Sequence, residues 1–161
     1  MTIEALMSRH VHYCRPDHTL DYAASQMWDH DCGCVPVCVD DGEPRVIGML
    51  TDRDICMAAL FQGRPLYELK VADAMSRDIH VCEVDARPED VELTMRELRV
   101  RRLPVTDVGG GLVGIVSLAD LARAAVGGAG ADGFDGLSES NVGHTLAAIC
   151  APGEPIATPP D

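Results

Sequence analysis

A chain of 161 residues with 47% apolar content suits one compact domain, or two small halves sharing a core, and can bury roughly 70% of its unfolded surface. No apolar run approaches the ~18 residues of a membrane span, and the N-terminus lacks the basic-then-apolar pattern of a secretory signal; the expectation is a soluble, cytoplasmic protein with no membrane partner. A net charge of −13, from 26 acids against 13 bases, repels nucleic acid at long range.

The chain opens with a short helical turn, Glu4 to Met7, and a short strand, Val11 to Cys14. An amphipathic helix follows, with Leu20, Ala23, Ala24, Met27 and Trp28 recurring at helical spacing. Two strands come next, Cys34 to Val39 and Arg45 to Leu50, joined by the turn residues Asp40 to Pro44. The second strand runs into a helix-compatible stretch, Ile55 to Leu60, and Gly63-Arg64-Pro65 breaks the connector from Phe61 to Lys70.

The same order then repeats. At an offset of 68, Met7-Ser8-Arg9 falls on Met75-Ser76-Arg77, Cys14 on Cys82, Met27 on Met95, and Val35-Pro36-Val37 on Leu103-Pro104-Val105. The offset drops to 66 after a turn shortened by two residues, aligning Gly48 with Gly114, Thr51 with Ser117 and Asp54 with Asp120. A slip confined to a turn is what two copies of one structural unit should show. The second unit reads as a turn (Ala72 to Met75), a strand (Ile79 to Glu83), and a helix opening at Pro88 with Val91, Met95 and Leu98 on one stripe. The strands Leu103 to Asp107 and Leu112 to Val116 and the helical run Leu121 to Val126 complete it. The prediction is an α+β fold with mixed sheets: two β-α-β-β-α repeats, 1–68 with its connector and 69–126, packed as a pseudo-two-fold pair because one three-stranded sheet with two helices leaves a face bare. Residues 127–161 form a Gly/Pro-rich acidic tail, with a flexible stretch from Gly127 to Gly133 and a short helix from about Ser140 to Cys150 bearing Val142, Leu146 and Ile149.

The repeated stretch Gly48-Met49-Leu50-Thr51-Asp52-Arg53-Asp54 and its partner Gly114 to Asp120 carry the candidate chemistry. Thr51-x-x-Asp54 and Ser117-x-x-Asp120 each fit a capping box at a helix start. A glycine before the turn lets a ligand approach the backbone. Free helix amides with a hydroxyl make a phosphate cradle, and a carboxylate one turn on can take both hydroxyls of a ribose. Nearby, Arg87, Arg96, Arg99, Arg101 and Arg102 make a basic island. It reads either as a solvated face paired with Glu89, Glu92 and Glu97 or as an attractor of an anion into a cleft.

Over roughly Thr2 to Val126 the duplicated apolar-Gly-apolar-apolar-Thr/Ser-x-x-Asp, preceded by Val-Pro-Val or Leu-Pro-Val, resembles the cystathionine β-synthase (CBS) domain, and the two copies resemble a CBS pair, or Bateman module. The resemblance implies two pseudo-symmetric clefts that bind AMP, ADP, ATP or S-adenosylmethionine, and a flat homodimer. By analogy Asp54 and Asp120 hold ribose hydroxyls, and Thr51 and Ser117 face phosphate. Val35-Pro36-Val37 and Leu103-Pro104-Val105 line adenine pockets. Arg53 is a phosphate partner whose counterpart is Ala119, so the two clefts should differ in affinity.

His30, Cys32 and Cys34, with Cys38 beyond, are the rival constellation. Zinc wants about four ligands within ~2.0–2.3 Å, whereas Cys34 and Cys38 on one strand sit roughly 13 Å apart at ~3.3 Å per residue. The second repeat has no thiols at the matching places. An odd number of cysteines, seven, fits reduced thiols and no disulfide framework, and packing in the core is the leading expectation for them. No nucleophile elbow, phosphate loop or His-Glu-x-x-His motif is present. The expected function is therefore a non-enzymatic regulatory module needing no cofactor, which binds an adenine nucleotide or S-adenosylmethionine and signals to a regulated partner. A redox- or metal-responsive protein and an interaction module with empty clefts are the alternatives.

Overall fold

The structure, a computed structural model, describes residues 1–127 and 137–152. All but the first residue of the predicted Gly127–Gly133 stretch, and the chain from 153 on, lie outside the described residues.

Each repeat builds a small sheet with helices on one face. In the first, α1 (Leu20–Asp29) precedes the antiparallel pair β1 (Cys34–Asp40) and β2 (Pro44–Thr51), and α2 (Asp52–Gln62) leaves β2 directly. In the second, β3 (Cys82–Glu83) runs parallel to β4 (Arg102–Thr106), which pairs antiparallel with β5 (Leu112–Ser117). There α4 (Pro88–Leu98) and α5 (Leu118–Gly127) fill the two helix positions, and the one-turn helix α3 (Val71–Ala74) opens the repeat. Register shifts fall at Val37/Cys38 and at Val105/Thr106, equivalent places in the two copies.

The expected strand Val11 to Cys14 is reduced to a single bridge. Only Cys14 joins the sheet, donating its amide to the Pro36 carbonyl and accepting from the Cys38 amide, at 2.9 and 2.8 Å. Pro16, two residues on, has no N–H to extend the ladder.

The two cores are not made from the two sequence repeats taken whole. Ile3 and Met7, at the start of the chain, pack into the second core with Met95, Leu103 and Val116, while Val71 and Met75 pack into the first with Leu20, Val35 and Leu50. Backbone pairing follows the same plan: the Ser8 and Ile115 backbones exchange bonds of 2.9 and 3.0 Å, and those of Ser76 and Met49 do likewise at 2.9 and 3.0 Å. Each sheet is thus extended at its edge by the segment that opens the other repeat.

Three apolar positions expected inside lie outside: Trp28, Leu98 and Leu146. Trp28 is 86% exposed, although Leu20, Ala23 and Met27 on the same helix are buried. In α6 (Glu139–Cys150) the buried stripe is Val142 and Thr145 with Ile149 packed behind them, and Leu146 is half exposed. Thr145 donates a hydrogen bond to the buried carboxylate of Glu92 on α4, which fixes the rotation of the helix. Glu92 therefore takes no part in the surface pairing expected of it; Arg87 pairs instead with Asp90, through two bonds of 2.9 Å, and with Glu89.

Candidate functional site

The two Thr/Ser-x-x-Asp motifs lie where β2 and β5 turn into α2 and α5, and their geometry is nearly the same. The Thr51 amide and hydroxyl both donate to Asp54 Oδ2, at 2.9 and 2.7 Å, and the Asp54 amide donates to Thr51 Oγ1 at 3.1 Å. The corresponding distances for Ser117 and Asp120 are 2.8, 2.6 and 3.2 Å. Each hydroxyl proton is spent on the carboxylate, so a phosphate would meet the helix amides and not a free Thr or Ser proton. Capping also consumes one oxygen of each aspartate and orients the other.

The second oxygen distinguishes the copies. Oδ1 of Asp120 accepts from Arg123 Nη2, whereas Oδ1 of Asp54 has no hydrogen-bond donor among the described residues. Arg123, one turn along α5, corresponds to Met57. Arg123 is a site residue beyond those expected from the motif, and its i,i+3 spacing from Asp120 on a helix is the signal in the sequence that marks it. Arg123 is bonded to Asp120, whereas Arg53 is next to Asp54 in sequence only.

Gly48 and Gly114 make room for protein. A Cβ on Gly48 would stand 2.8 Å from the Ser76 carbonyl oxygen, and one on Gly114 would stand 3.2 Å from that of Ser8. The close approach expected from a ligand is made here by the exchanged backbone segments.

The remaining predicted residues divide by strand alternation. Val35, Val37, Leu103 and Val105 are almost wholly buried in the two cores. Pro36 lines a cavity of about 200 Å³ between the halves, together with Ser8, His12, Cys34, Arg102 and Ile115. Pro104 sits opposite Ile115 in the β4–β5 register. Asp120 and Arg123 line a separate cavity of about 460 Å³ with Ala5 and Leu6. Gly48, Thr51, Arg53 and Asp54 line neither cavity.

His30, Cys32 and Cys34 do share the inter-half cavity, where the His30 ring stacks on His12 with centroids 3.4 Å apart. Among the described residues, however, no three His, Cys, Asp or Glu side chains come together in a way that could hold a metal ion. Arg102 Nη1 approaches Cys34 Sγ to 3.7 Å. Burial nevertheless pushes the Cys34 thiol up, against the downward pull of Arg102. A thiol held protonated in this way is a poor nucleophile. Cys14 and Cys38 are pushed up by burial as well, to about 11 and about 12. No cysteine forms a disulfide.

Two interlocked units with capped acidic motifs at equivalent helix starts are one α+β fold built twice. The CBS domain model matches residues 3–60 and 71–127, and the chain belongs to the CBS-domain family. The CBS domain-containing protein YhcV of Bacillus subtilis (strain 168) is 35% identical over 114 residues, covering 71% of this chain and 78% of that protein. Among solved structures, Hypoxic Response Protein I with two coordinated zinc ions is 35% identical with a TM-score of 0.67, over 76% of this chain and 98% of that one. CBSX2 in complex with AMP is 26% identical with a TM-score of 0.66, over 78% and 96%. Among the described residues no helix is long and apolar enough to cross a membrane.

Proposed function

We propose that this chain is a cytoplasmic regulatory module, not an enzyme, that binds an adenosine-containing ligand (AMP, ADP, ATP or S-adenosylmethionine) in clefts between its repeats and relays occupancy to a partner protein. The observation that carries the reading is the pair of capped aspartates. Capping holds each carboxylate in place and leaves one oxygen outside the cap, without a donor among the described residues at Asp54 and bonded to Arg123 at Asp120; a carboxylate oxygen held in this way is the preorganised acceptor that a ribose diol needs. Arg123, bonded to Asp120, and Arg53, next to Asp54 in sequence, suit the phosphate end of a nucleotide. The AMP complex of CBSX2 supports the choice of ligand. Signalling follows from differential affinity: a ligand gripping both repeats favours one arrangement of the two.

The two clefts are proposed to differ. A ligand at Asp120 competes with Arg123 for the free oxygen, and one at Asp54 does not. Titration calorimetry with AMP, ADP, ATP, S-adenosylmethionine and NAD tests this. Two events of unequal affinity are expected, with Asp54→Ala abolishing one and Asp120→Ala the other. A titration in which neither substitution changes any binding event overturns the assignment of the aspartates. The absence of binding to all five ligands favours an interaction module with empty clefts.

A metal or redox role for His30, Cys32 and Cys34 finds support in the two zinc ions of Hypoxic Response Protein I. Elemental analysis of the purified protein tests it; stoichiometric zinc that is lost in Cys32→Ser would establish that reading in place of the first.

A further inference from the structure

The cavity of about 200 Å³ between the halves gathers hydrogen-bond donors that lack acceptors. His10, His12, His30 and Arg102 line it together with Ser8, and no Asp or Glu does, in a chain with twice as many acids as bases, 26 against 13. The His12 and His30 rings lie face to face, 8° from parallel, so the stack engages their faces and leaves the nitrogens on their edges free of each other. Among the described residues, neither these three imidazoles nor the Ser8 hydroxyl makes a side-chain hydrogen bond. Arg102 takes part in no ion pair there. Its contact is Cys34 Sγ at 3.7 Å, a thiol that burial keeps protonated, so the guanidinium charge is not neutralised.

The cluster belongs to one repeat arrangement only. Shifting it by the offset of 68 turns His10 into Asp78, His12 into His80 and His30 into Leu98, while Arg102 is itself the counterpart of Cys34. His80 has a carboxylate of its own, Asp78 Oδ1 at 3.6 Å. Packing of the halves, which both copies share, therefore does not call for the cluster. Charge and size set what the cavity can take. A guanidinium fork, imidazole edges and a hydroxyl, with no carboxylate among them, suit an anion with several oxygens. The fixed charge of Arg102 opposes a metal cation in the same space. A cavity of about 200 Å³ is smaller than the ~300–1,000 Å³ that encloses a whole small-molecule ligand; it fits a phosphate group and not a complete nucleotide.

We infer that this cavity is a phosphate-binding site, in which Arg102 takes two phosphate oxygens and His12, His30 and Ser8 donate to the others. The group is inorganic phosphate or the phosphate end of a nucleotide, and only the second source rests on the adenosine reading above. Thr51, Arg53 and Ser117 do not line the cavity, so the site is separate from the phosphate contacts at the helix starts.

The isotope-labelled full chain is titrated with inorganic phosphate, AMP, adenosine and S-adenosylmethionine while NMR follows the imidazole ring and arginine Nε–H signals. Inorganic phosphate or AMP should move the His12, His30 and Arg102 signals together; adenosine and S-adenosylmethionine, which carry no phosphate, should leave them in place. A response to inorganic phosphate makes the free anion a ligand, and a response to AMP alone assigns the site to a nucleotide. Arg102→Ala should weaken binding roughly tenfold or more, the scale of a lost charge-assisted pair. Arg102→Lys, which keeps the charge without the fork, should fall between the two. His12→Gln with His30→Gln changes exposed side chains, so it tests the site without removing core packing, and it should weaken binding as well. The inference is overturned if neither phosphate nor AMP moves these signals, if adenosine moves them as AMP does, or if Arg102→Ala binds as the parent does. It is also overturned if zinc moves them and phosphate does not. A response to inorganic phosphate in a protein that binds none of the adenosine compounds leaves the site standing and removes the adenosine reading.

Discussion

Gly48 and Gly114 have the same place in the two repeats and face equivalent Met-Ser segments, but at different distances, and the difference is measurable. A methyl at Gly48 meets a backbone carbonyl at 2.8 Å, which can move only with its segment; at Gly114 the backbone carbonyl is 3.2 Å away and the closer neighbour is the flexible end of Met7. Gly48→Ala should therefore destabilise by about 1–3 kcal/mol, as overpacking does, and Gly114→Ala by less. Urea denaturation of both variants checks the order, and equal losses would show that the two edge segments are equally free to yield. Protonation supplies a second residue-scale test. The thiols of Cys14, Cys38 and Cys82 are raised by burial to about 11, 12 and 11, above the ~8.5 of an unfolded thiol. The native state then holds protons that the unfolded state releases, so their contribution is fully present below about pH 8.5 and is lost as pH rises toward 11–12. Unfolding midpoints followed from pH 7 to 11 should fall, and should fall less steeply in Cys38→Ala. These residues also mark what was legible beforehand. The capping boxes could be read because a hydroxyl and an acid three apart satisfy local backbone groups, and locality is what a sequence displays. The exchange of segments that explains the glycines is a contact between residues 28 positions apart for Gly48 with Ser76 and 106 apart for Gly114 with Ser8, and no local pattern announces it.

At the scale of elements, α6 shows how one polar contact can override a hydrophobic stripe. Val142, Leu146 and Ile149 define an apolar face by spacing alone, yet the helix buries Thr145 and leaves Leu146 half exposed. Glu92 is 2% exposed and would be left without a hydrogen bond if α6 turned Leu146 inward. A buried, unsatisfied polar group costs about 1–3 kcal/mol and more if charged, comparable to the ~1.5–3 kcal/mol of fully burying a leucine. Thr145→Val should thus destabilise by about 1–3 kcal/mol even though it adds apolar surface. Pairing it with Glu92→Leu should recover most of that loss, because both polar groups are then gone. A Thr145→Val protein as stable as the parent would mean that the contact does not set the rotation of α6. The same comparison explains why Trp28 misled the sequence reading. Its spacing belongs to the buried face of α1, but its equivalent on the second repeat is Arg96, and nothing among the described residues covers that edge of the first repeat.

For the whole molecule, the exchanged segments tie the stability of each half to the chain that begins the other. Ile3 and Val71 are equivalent residues, both fully buried, and each lies in the core opposite to its own repeat: Ile3 with Leu103 and Val116, Val71 with Leu20 and Leu50. Backbone bonds reinforce the placement, the Ile3 amide donating to Ala86 and the Val71 amide to His18, each at 2.9 Å. Truncating a large buried aliphatic to alanine costs about 2–5 kcal/mol, and a loss confined to one core should loosen that core first. Ile3→Ala should accelerate amide exchange in β4 and β5 while leaving β1 and β2 protected, and Val71→Ala should do the reverse. An interlocked pair of this kind also offers a physical route for signalling. A ligand that tightens the β5–α5 turn bears on Ser8 and the opening segment, which in turn lines the cavity shared with Cys34 of the first repeat. If each variant loosened both halves equally, the two cores would be one cooperative unit, and occupancy of one cleft could not be transmitted as a change of one half relative to the other.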